Sequence, residues 1–542
     1  MKDFRSSIKG IASVYRPFRL HVAVCVLIGL VNVAAAIAFV WVCKCLVDIA
    51  TGVLDKPLGD YVWLMILIVL LRIICNVAGS YWESFTQIKA TNTLRLRTFS
   101  HVMGSSWDVP EEFHSADVMN RIQEDIRVLV ELVCTRIPNI IVTVCQLIAA
   151  SVFLVMMAPG LLSLLIVLML FGLIGSKMFY KTQRRLTDSI RKQDSESLEH
   201  VQESLQNRAM ALSLSGFDRV KAKFSSILDN LKATYIKRLN YNAIARGFLG
   251  FGFMAGYTTA FLWGIFGIRD GVVTYGMMTA FLQLVGQVQR PLADLSRHVP
   301  AFIQAMSSEE RLSELEALPS LALADGPVLG EAPSLVFDKV SFSYPGKAIS
   351  VFDSFSHTFK AGSLTVIMGS TGRGKSTLAR LAMGLLNPQE GRISFELADG
   401  RTAVASIGNF MYVPQGGSLL SGTVRENLTL ADPEADEERM RHALHIAAAD
   451  FIFDLPDGLD TRCGESGSSL SEGQAQRIAI ARALLHSGTV LILDEATSAL
   501  DSATESVLLG RLASEYGGHK TVLTITHRDC ALTYADEILR LD

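Results

Sequence analysis

The sequence predicts two domains, an all-α six-helix transmembrane domain followed by an α/β domain. With 542 residues the chain is too long for one compact core. Hydrophobic residues make up 50% of it and charged residues 19%, and the mean hydropathy of +0.33 is typical of membrane proteins. Long apolar runs fill the first part of the chain, whereas short strand-like runs alternate with helical patterns after residue 335.

Six apolar runs are close to the length of about 20 residues that a helix needs to cross a bilayer. A signal peptide is the competing interpretation of the first run, because Lys2 and Arg5 are among several basic residues that precede it. That run is too long for a signal peptide, and similar runs follow it. The sequence therefore predicts a transmembrane domain at 1–316, with spans at about 21–47, 60–82, 136–157, 160–180, 246–268 and 276–298.

The connecting segments differ in their basic residues. The two long segments, at about 83–135 and 181–245, are rich in arginine and lysine, whereas the short links hold only Lys56 and Arg269. Because basic loops stay in the cytoplasm, we expect both termini, both long segments and the second domain on that side. The sequence thus predicts an integral, multi-pass protein of the lipid bilayer, in a bacterial inner membrane.

Both long segments carry few turn signals, and "VMNRIQEDIRVLVELV" has helical apolar spacing. We expect the span helices to continue by some 25 residues into the cytoplasm, which at 1.5 Å per residue projects about 35–40 Å from the membrane. Loose cytoplasmic loops are the alternative interpretation.

Composition shifts to Pro, Gly and Ala at 317–334, which predicts a linker. The strand-like runs beyond it are "SLVFDKVSFSY", "SLTVIMG", "FMYVP", "TVLILDEA" and "KTVLTITH", and "STLARLAMGLL" is a helical pattern between them. This alternation predicts an α/β domain at 335–542 with a largely parallel sheet.

The stretch "GSTGRGKS" fits the phosphate-binding pattern G-x-x-x-x-G-K-[ST]. Glycines let backbone N–H groups surround phosphates, the lysine reaches the outer phosphates, and the serine hydroxyl binds Mg²⁺. The motif follows a predicted strand and precedes a predicted helix, as it must; a chance glycine-rich turn is the alternative. The second domain is therefore predicted to be an α/β P-loop NTPase that binds nucleotide through Gly369, Ser370, Thr371, Gly372, Arg373, Gly374, Lys375, Ser376 and Thr377.

Two carboxylates, Asp494 and Glu495, follow the apolar run Val490 to Leu493. A carboxylate at a strand end can hold the Mg²⁺ of a nucleotide, and a second one can orient or deprotonate an attacking water. Helix capping is the alternative role of such acids. With a phosphate loop upstream, the pair predicts Mg²⁺ binding by Ser376 and Asp494 and catalysis by Glu495.

Between these motifs, "LSEGQ" at 470–474 precedes an amphipathic helix. With this stretch and the two motifs above, nearly all of 335–542 resembles the nucleotide-binding domain of ATP-binding cassette (ABC) transporters. The resemblance implies ATP and Mg²⁺ as cofactors. Tyr344 resembles the aromatic residue that stacks on adenine, and Gln415 resembles the glutamine that senses Mg²⁺ and the attacking water. His527 resembles the switch histidine that contacts the γ-phosphate.

Ser471, Gly473 and Gln474 resemble the signature that closes on ATP held by the partner subunit, and Asp501 resembles the residue that crosses the dimer interface. The resemblance therefore implies a dimer, either a homodimer or a heterodimer with a related half-transporter. The membrane half resembles the six-span domain of exporter-type members of the family, with "EEFHSADVMNRIQEDIRVL" similar to their first intracellular loop.

Three positions depart from the family's pattern. Glu472 stands where the signature usually has glycine, and its carboxylate is expected near the partner's phosphates. The chain ends at Asp542, without the family's usual helical tail. Arg373 occupies a loop position that usually holds a smaller or uncharged residue, and nothing in the sequence explains it.

The leading functional hypothesis is an ATP-hydrolysing exporter of an amphipathic small molecule, lipid or peptide. An importer of the siderophore-uptake type is the alternative, because "CTRIPNII" is similar to the third span of that group. A hypothesis of another class, an ATP-gated regulatory or channel-like protein, is disfavoured by the presence of Glu495. The net charge of −3 argues against a nucleic-acid partner.

The transported substrate is not identified by the sequence. Polar residues within the predicted spans either line a pathway or form hydrogen bonds between helices. They are Asn32, Asn76, Gln146, Gln283 and Gln287.

Overall fold

The computed structural model describes residues 10–12, 16–106, 115–178, 180–321, 326–344, 350–370, 372–416, 419–464 and 470–541. It divides into two compact units: Met1–Phe99 with Ala116–Glu316, and Ser100–Ser115 with Ala317–Asp542. The predicted boundaries of the two domains and the linker stay predictions.

The first unit is helical. After a 3₁₀ turn at Arg16–Phe18, its helices are α1 (Arg19–Ala50), α2 (Leu58–Met103), α3, α4 (Pro159–Met178), α5 (Tyr180–Gln206), α6 (Arg208–Ser213), α7 (Phe217–Arg269) and α8 (Tyr275–Glu316). Helix α3 is continuous and consists of α-helical parts at Ser115–Asn120, Ile126–Glu131 and Ile137–Met157, with π-helical turns at Arg121–Asp125 and Leu132–Arg136. Helix α7 has 53 residues and α2 has 46, so the prediction of helices much longer than a membrane span is confirmed.

Four helices among the described residues are long and apolar enough to cross a membrane: α1, Leu58–Met103, Asp117–Met157 and Phe217–Arg269. They contain four of the six predicted spans. The other two predicted spans lie in helices α4 and α8, which do not meet this measure. In α4 the described apolar stretch is Pro159–Leu168, which is shorter. In α8 the apolar character is diluted by glutamines and by Arg290.

A buried apolar cluster joins α1, α3, α4, α7 and α8. Its largest buried side chain is Phe281, and small residues such as Ala150 and Ala260 lie beside it without exposure. Close packing through small side chains is the usual means of helix association in a bilayer, where burial of apolar surface supplies no drive.

The second unit contains a five-stranded parallel sheet in the order β11-β3-β10-β9-β6. A four-stranded antiparallel sheet has the order β2-β1-β4-β5, and β7 pairs with β8. The strands are β1 (Ser334–Phe342), β2 (Phe352–Phe359), β3 (Leu364–Gly369), β4 (Glu390–Glu396), β5 (Thr402–Val404), β6 (Phe410–Val413), β7 (Gly422–Thr423), β8 (Arg462–Cys463), β9 (Val490–Asp494), β10 (Thr521–Ile525) and β11 (Glu537–Leu541).

The helices of this unit are α9 (Lys375–Ala382), α10 (Val424–Thr429), α11 (Glu437–Ile446), α12 (Glu472–Leu485) and α13 (Ser502–Tyr516). Short 3₁₀ helices lie at Ile407–Asn409, Asp450–Asp454, Gly458–Asp460 and Asp529–Tyr534. The predicted α/β domain after a helical membrane domain is confirmed.

Of the predicted strands, β3, β6, β9 and β10 lie in the parallel sheet, as predicted. The predicted strand β1 lies instead in the antiparallel sheet. Every residue of β9 and of β10 is buried, as expected for strands that are covered on both faces. Buried and more exposed residues alternate along most of β1. That period of two is typical of an antiparallel strand with one face on the core, and β1 pairs antiparallel with both β2 and β4.

Candidate functional site

Four loops that carry predicted site residues follow the carboxyl ends of four adjacent parallel strands, β3, β10, β9 and β6. In the sheet, Ile525 of β10 is paired with Ile367 of β3 and with Asp494 of β9. Val413 of β6 is paired with Leu493 of β9. Parallel strands end at the same edge of a sheet, and ligands of open α/β sheets bind there. The sheet therefore collects residues that lie more than 150 positions apart in the chain.

The phosphate loop lies between β3 and α9. Gly372 and Gly374 have φ angles of +88° and +87°, which side chains with a Cβ rarely adopt. A Cβ on Gly374 would also lie 2.5 Å from Cγ1 of Val351. Lys375 is buried, and its Nζ donates to the carbonyl oxygens of Gly369 at 2.8 Å and Ser370 at 3.2 Å.

Gly372 and Gly374 give the loop its turns, and the carbonyl oxygens of Gly369 and Ser370 hold the Lys375 ammonium within it. A ready cradle of backbone N–H groups at a helix N-terminus, with one cation, suits a phosphate chain. Arg373 is exposed, and the structure gives no reason for arginine at this position. Thr371, which the motif predicts as a nucleotide-binding residue, lies outside the described residues.

Asp494, at the end of β9, is buried and accepts two hydrogen bonds. The Ser376 hydroxyl donates to Oδ1 at 3.2 Å, and the Tyr412 hydroxyl donates to Oδ2 at 3.3 Å. Burial raises the pKa of Asp494 above its ordinary value, and the two hydrogen bonds oppose this shift. Burial likewise raises the pKa of Tyr412, so its hydroxyl stays protonated and donates.

This oxygen pair fits Mg²⁺, which takes hard oxygen ligands and is usually held by one or two carboxylates together with substrate phosphates. No group of three or more His, Cys, Asp or Glu residues that could hold a metal occurs in the described part of the chain. Ser376 and Asp494, adjacent to the phosphate loop, agree with a metal site that the nucleotide completes.

Glu495 brings together the three predicted catalytic side chains. Its Oε2 accepts a hydrogen bond of 2.8 Å from Nε2 of Gln415, and its Oε1 lies 3.4 Å from Nε2 of His527. The backbone of Glu495 has a φ of +49°, an unfavourable conformation for a residue with a Cβ. The Glu495 N–H donates to the carbonyl of Ile525 at 3.0 Å, which fixes the strand end in this position.

The signature residues form the start of α12. The Ser471 hydroxyl accepts from the backbone N–H of Gln474, whose side chain accepts from the N–H of Ser471. This reciprocal arrangement is a capping box. A Cβ on Gly473 would lie 2.9 Å from the carbonyl oxygen of Ala499, which explains glycine at this position. Glu472 is the first residue of α12 and is exposed.

Among the described residues, neither Ser471 nor Gln474 forms a hydrogen bond or ion pair with the phosphate loop or with Glu495. Asp501 caps α13 by accepting from the N–H of Thr504 at 3.1 Å. Hydrogen bonds from the Thr504 side chain and backbone lower the pKa of the Asp501 carboxyl. Ser471 and Asp501 are exposed on one subunit, and Gly473 and Gln474 are half-buried.

Tyr344, the predicted adenine-stacking residue, lies against the start of α9. Its hydroxyl is 3.1 Å from Oγ1 of Thr377 and accepts from Nη1 of Arg380 at 3.4 Å. Its ring packs edge-on against Phe342, with a centroid distance of 5.1 Å. The aromatic side chain is thus tied to the helix that follows the phosphate loop.

Sequence reasoning missed three residues that position this site. Tyr412, Gln476 and Arg528 lie in the motif segments "FMYVP", "LSEGQAQ" and "TITHR", where nearness to predicted site residues was the available signal. Gln476 is fully buried and donates to Ser498 at 3.0 Å. Arg528 donates from Nη2 to the carbonyl of Ser498 at 2.7 Å. Both fix the loop between Glu495 and Asp501.

The first unit has a separate feature, a cavity of about 570 Å³ between its helices. Gln146, Gln283 and Gln287 line it, whereas Asn32 and Asn76 bond to each other at 2.9 Å. Of the two roles left open for these polar residues, the asparagines therefore link helices, and the glutamines face the cavity. The complete lining is Ala36, Phe39, Arg72, Gln146, Phe253, Met254, Tyr257, Leu282, Gln283, Val285, Gly286, Gln287, Gln289 and Arg290.

Both halves of the chain match family models. Residues 22–292 match the ABC transporter transmembrane region, and residues 352–498 match the ABC transporter model for the ATPase part. The first match alone covers half of the chain, and the two matches follow each other in one polypeptide.

Two relatives match nearly the whole chain, and a third matches half of it. The "Putative multidrug export ATP-binding/permease protein YgaD" of Bacillus subtilis is 29% identical over 97% of this chain and 93% of its own. The "ATP-dependent lipid A-core flippase" of Haemophilus ducreyi is 29% identical over 95% of this chain and 89% of its own. The "Mycobactin import ATP-binding/permease protein IrtB" of Mycobacterium bovis is 34% identical over 50% of this chain and 48% of its own.

The fold has a solved counterpart. A bacterial Atm1-family ABC exporter with ATP bound superposes with a TM-score of 0.77 and 25% identity, over 97% of this chain and 94% of that one. The chain belongs to the ABC transporter family, as an ATP-driven integral membrane transporter with one membrane region and one ATPase region.

Proposed function

We propose that the chain uses ATP hydrolysis to export an amphipathic small molecule, lipid or peptide. The observation that carries the proposal is the cavity of the membrane unit, whose lining mixes aromatic side chains such as Phe39 and Tyr257 with amide side chains such as Gln283. A molecule with an apolar body and polar groups meets both kinds of surface there. Full-length relatives named as a multidrug exporter and a lipid flippase support this proposal.

At the ATP site, we assign each matching residue the role that its contacts support. Lys375 and the loop N–H groups bind the phosphates, and Tyr344 supports the adenine. Ser376 and Asp494 would hold Mg²⁺, which neutralises phosphate charge when bound, and Gln415 would adjoin it. Glu495 acts as the base for water, with Gln415 and His527 orienting its carboxylate.

The working unit is a dimer, because the signature of one chain must meet the phosphate loop of another. Ser471 and Asp501 are exposed and Gly473 and Gln474 are half-buried, and among the described residues none of them forms a hydrogen bond or ion pair with the phosphate loop of its own subunit. Since both the signature and Glu495 are present, a homodimer would have two competent sites. A heterodimer with a related half-transporter is the alternative assembly.

We place the protein in a bacterial inner membrane with both termini and the ATPase unit in the cytoplasm. The basic segments at 83–135 and 181–245 support this orientation. In inside-out vesicles the ATPase unit then faces the medium, so added ATP drives exported compounds into the lumen.

The test is ATP-dependent accumulation of a panel of amphipathic compounds in such vesicles. Wild type is compared with Glu495→Gln and with a control, Glu434→Gln, which changes an exposed carboxylate of the same unit. Accumulation by wild type and the control, and its loss in Glu495→Gln, supports export. Hydrolysis of ATP without accumulation of any compound counts against it.

Import is the second candidate, because one of the relatives that match half of the chain at 34% identity is named a mycobactin importer. ATP-loaded right-side-out vesicles distinguish the two directions, since an importer accumulates substrate there. An ATP-gated channel-like protein is the third, and the contacts of Glu495 with Gln415 and His527 favour hydrolysis over gating alone.

A further inference from the structure

Two arginines lie in the apolar part of the membrane unit and line its cavity. Arg72 lies near the middle of the predicted span at 60–82 on α2, and Arg290 lies within the predicted span at 276–298 on α8. At 1.5 Å per residue, Arg72 is about 18 Å from the start of its span and about 15 Å from its end. Arginines near span ends reach the interface with their side chains, but one at this depth is a functional-site candidate.

Neither guanidinium is neutralised within the described part of the chain. Nε of Arg72 is buried without a hydrogen-bond partner, and its guanidinium carbon lies 5.7 Å from the centre of the Phe39 ring. A cation–π contact of this kind orients a cation and leaves its charge in place. Arg290 is exposed, is one of the residues that line the cavity, and forms no ion pair with any described residue.

The rest of the cavity lining carries no acid. Its other members are apolar, aromatic or amide residues, so the lining has two positive charges and no negative one. Holding uncompensated cations in an apolar region costs several kcal/mol, and a bound anion would remove that cost. One amide oxygen, Oε1 of Gln287, is also buried without a partner, and it suits a hydrogen-bond donor on the same ligand.

We propose that this cavity binds an amphipathic anion, and that Arg72 and Arg290 select its carboxylate, sulfate or phosphate group. The proposal deepens the proposed function, since it rests on the cavity being the place where the transported molecule binds. Arginine presents a planar fork of N–H donors that matches these anionic groups. Phe39, Phe253 and Tyr257 then contact the apolar body, and cationic amphiphiles are repelled.

Binding without nucleotide tests this directly. The probe is 11-(dansylamino)undecanoic acid, compared with its methyl ester, which has the same apolar body and no charge. The purified transporter is placed in nanodiscs of zwitterionic phosphatidylcholine, and empty nanodiscs correct for partition of the probe into lipid. We expect wild type to prefer the ionised acid, and Arg72→Gln and Arg290→Gln each to weaken its binding by roughly 10- to 100-fold.

Three comparisons make the result specific. Arg269→Gln removes the same charge from an exposed arginine outside the cavity and should bind the acid as wild type does. Arg72→Lys keeps a positive charge and should recover part of the affinity. The ester should bind wild type and both glutamine variants equally.

Equal binding of acid and ester by wild type would overturn the proposal, whether or not the variants fold. Unchanged acid binding in both glutamine variants would overturn it as well. Nanodiscs that also contain phosphatidylglycerol identify the source of the anion: loss of probe binding indicates an anionic lipid, and retained binding indicates a soluble amphiphile. Because no ATP is present, binding is decided separately from the vesicle assay, so failure of export leaves this result standing.

Discussion

Gln415 donates a hydrogen bond of 2.8 Å to the carboxylate of Glu495, although 80 positions separate the two residues. The second oxygen of that carboxylate lies 3.4 Å from His527. Strands β6 and β10 flank β9 in the sheet, so the central carboxylate is held by a side chain from each neighbouring strand end. These two contacts fix the orientation of the Glu495 carboxylate, the proposed base for water.

Changing Gln415 to Glu should disable this base in a pH-dependent way. Two carboxylates at hydrogen-bond distance share a proton, which raises the pKa of one of them. We expect the ATPase rate at neutral pH to fall by about 10-fold or more and to recover as pH rises, because the base is then deprotonated. The pH–rate profile of the purified protein measures this. Gln415→Leu, which adds no charge, should keep the wild-type profile; the same profile in both variants would refute the contact.

Asp494→Asn should stabilise the ATP-free protein while abolishing its ATPase activity. Burial raises the folded-state pKa of Asp494, so the folded state binds its proton more tightly than the unfolded chain does. Ionised Asp494 therefore costs stability, and the cost grows as pH rises from the ordinary value of 3.8 through the raised one. Asparagine removes that cost at neutral pH.

Calorimetry without nucleotide measures this effect. We expect Asp494→Asn to raise the unfolding temperature of the ATPase unit by about 2–4 °C at neutral pH. This increase should become smaller towards acidic pH. Glu434→Gln, at an exposed carboxylate of the same unit, should leave the transition unchanged. A lower transition in Asp494→Asn would show that the carboxylate is stabilising there.

Arg528→Ala should loosen the loop between Glu495 and Asp501. Arg528 donates to the carbonyl oxygens of Leu500 and Ser498 and to the carboxylate of Glu505, which is only 1% exposed. Its loss leaves that carboxylate buried without its cation, at a cost of about 2 kcal/mol. A second change, Glu505→Gln, should recover part of this loss, and Arg540→Ala, at an exposed arginine of β11, should cost little. Thermal unfolding measures these effects. Equal unfolding temperatures for Arg528→Ala and wild type would contradict the role of Arg528 in holding this loop.

In the membrane unit, Arg311→Ala should destabilise the junction of α3 and α8. Arg311 Nε donates to Oδ2 of Asp125 at 2.8 Å, its Nη2 contacts Oδ1, and the Ser308 hydroxyl donates to Oδ1 at 2.8 Å. Asp125 is buried, so removing the guanidinium should cost about 2–3 kcal/mol. Tryptophan fluorescence during thermal unfolding follows mainly this unit, because four of the five tryptophans lie in it. The double variant Arg311→Ala/Asp125→Asn should be more stable than the single one; an equally unstable double variant would exclude a charge effect.

Glu472→Gly should increase the ATPase rate several-fold if the signature closes on the partner's phosphates, because it removes a carboxylate from beside those anions. The same change removes an acid from the first turn of α12, which should cost about 0.5–1 kcal/mol of helix stability. Steady-state rates at varied ATP measure the first effect. Glu438→Gly, in the first turn of α11, is the matched control. An unchanged rate in Glu472→Gly would place this carboxylate away from the phosphates.

Much of the fold could be predicted from the sequence because its signals are local. The apolar runs predict the membrane-spanning parts of α1, α2, α3 and α7 directly, because the length and composition of these runs are enough to identify a span. The runs in α4 and α8 are harder to interpret, because glutamines and Arg290 interrupt the apolar pattern of α8. The antiparallel pairing of β1 was not predicted, since pairing partners lie far along the chain.

The sequence by itself determined the family, the phosphate loop and the identity of Glu495 as a base candidate, because each depends on residue types at short, fixed spacings. Only the tertiary structure decided which side chains surround that base. Tyr412, Arg528 and the pair Gln415 and Glu495 meet because parallel strands end at one sheet edge. The tertiary structure also decided the roles of polar residues in the spans. Asn32 and Asn76 bond to each other, whereas Arg72 and Arg290 line a cavity whose lining contains no acid. A linear pattern cannot decide this, because helix packing sets the direction in which each polar side chain points.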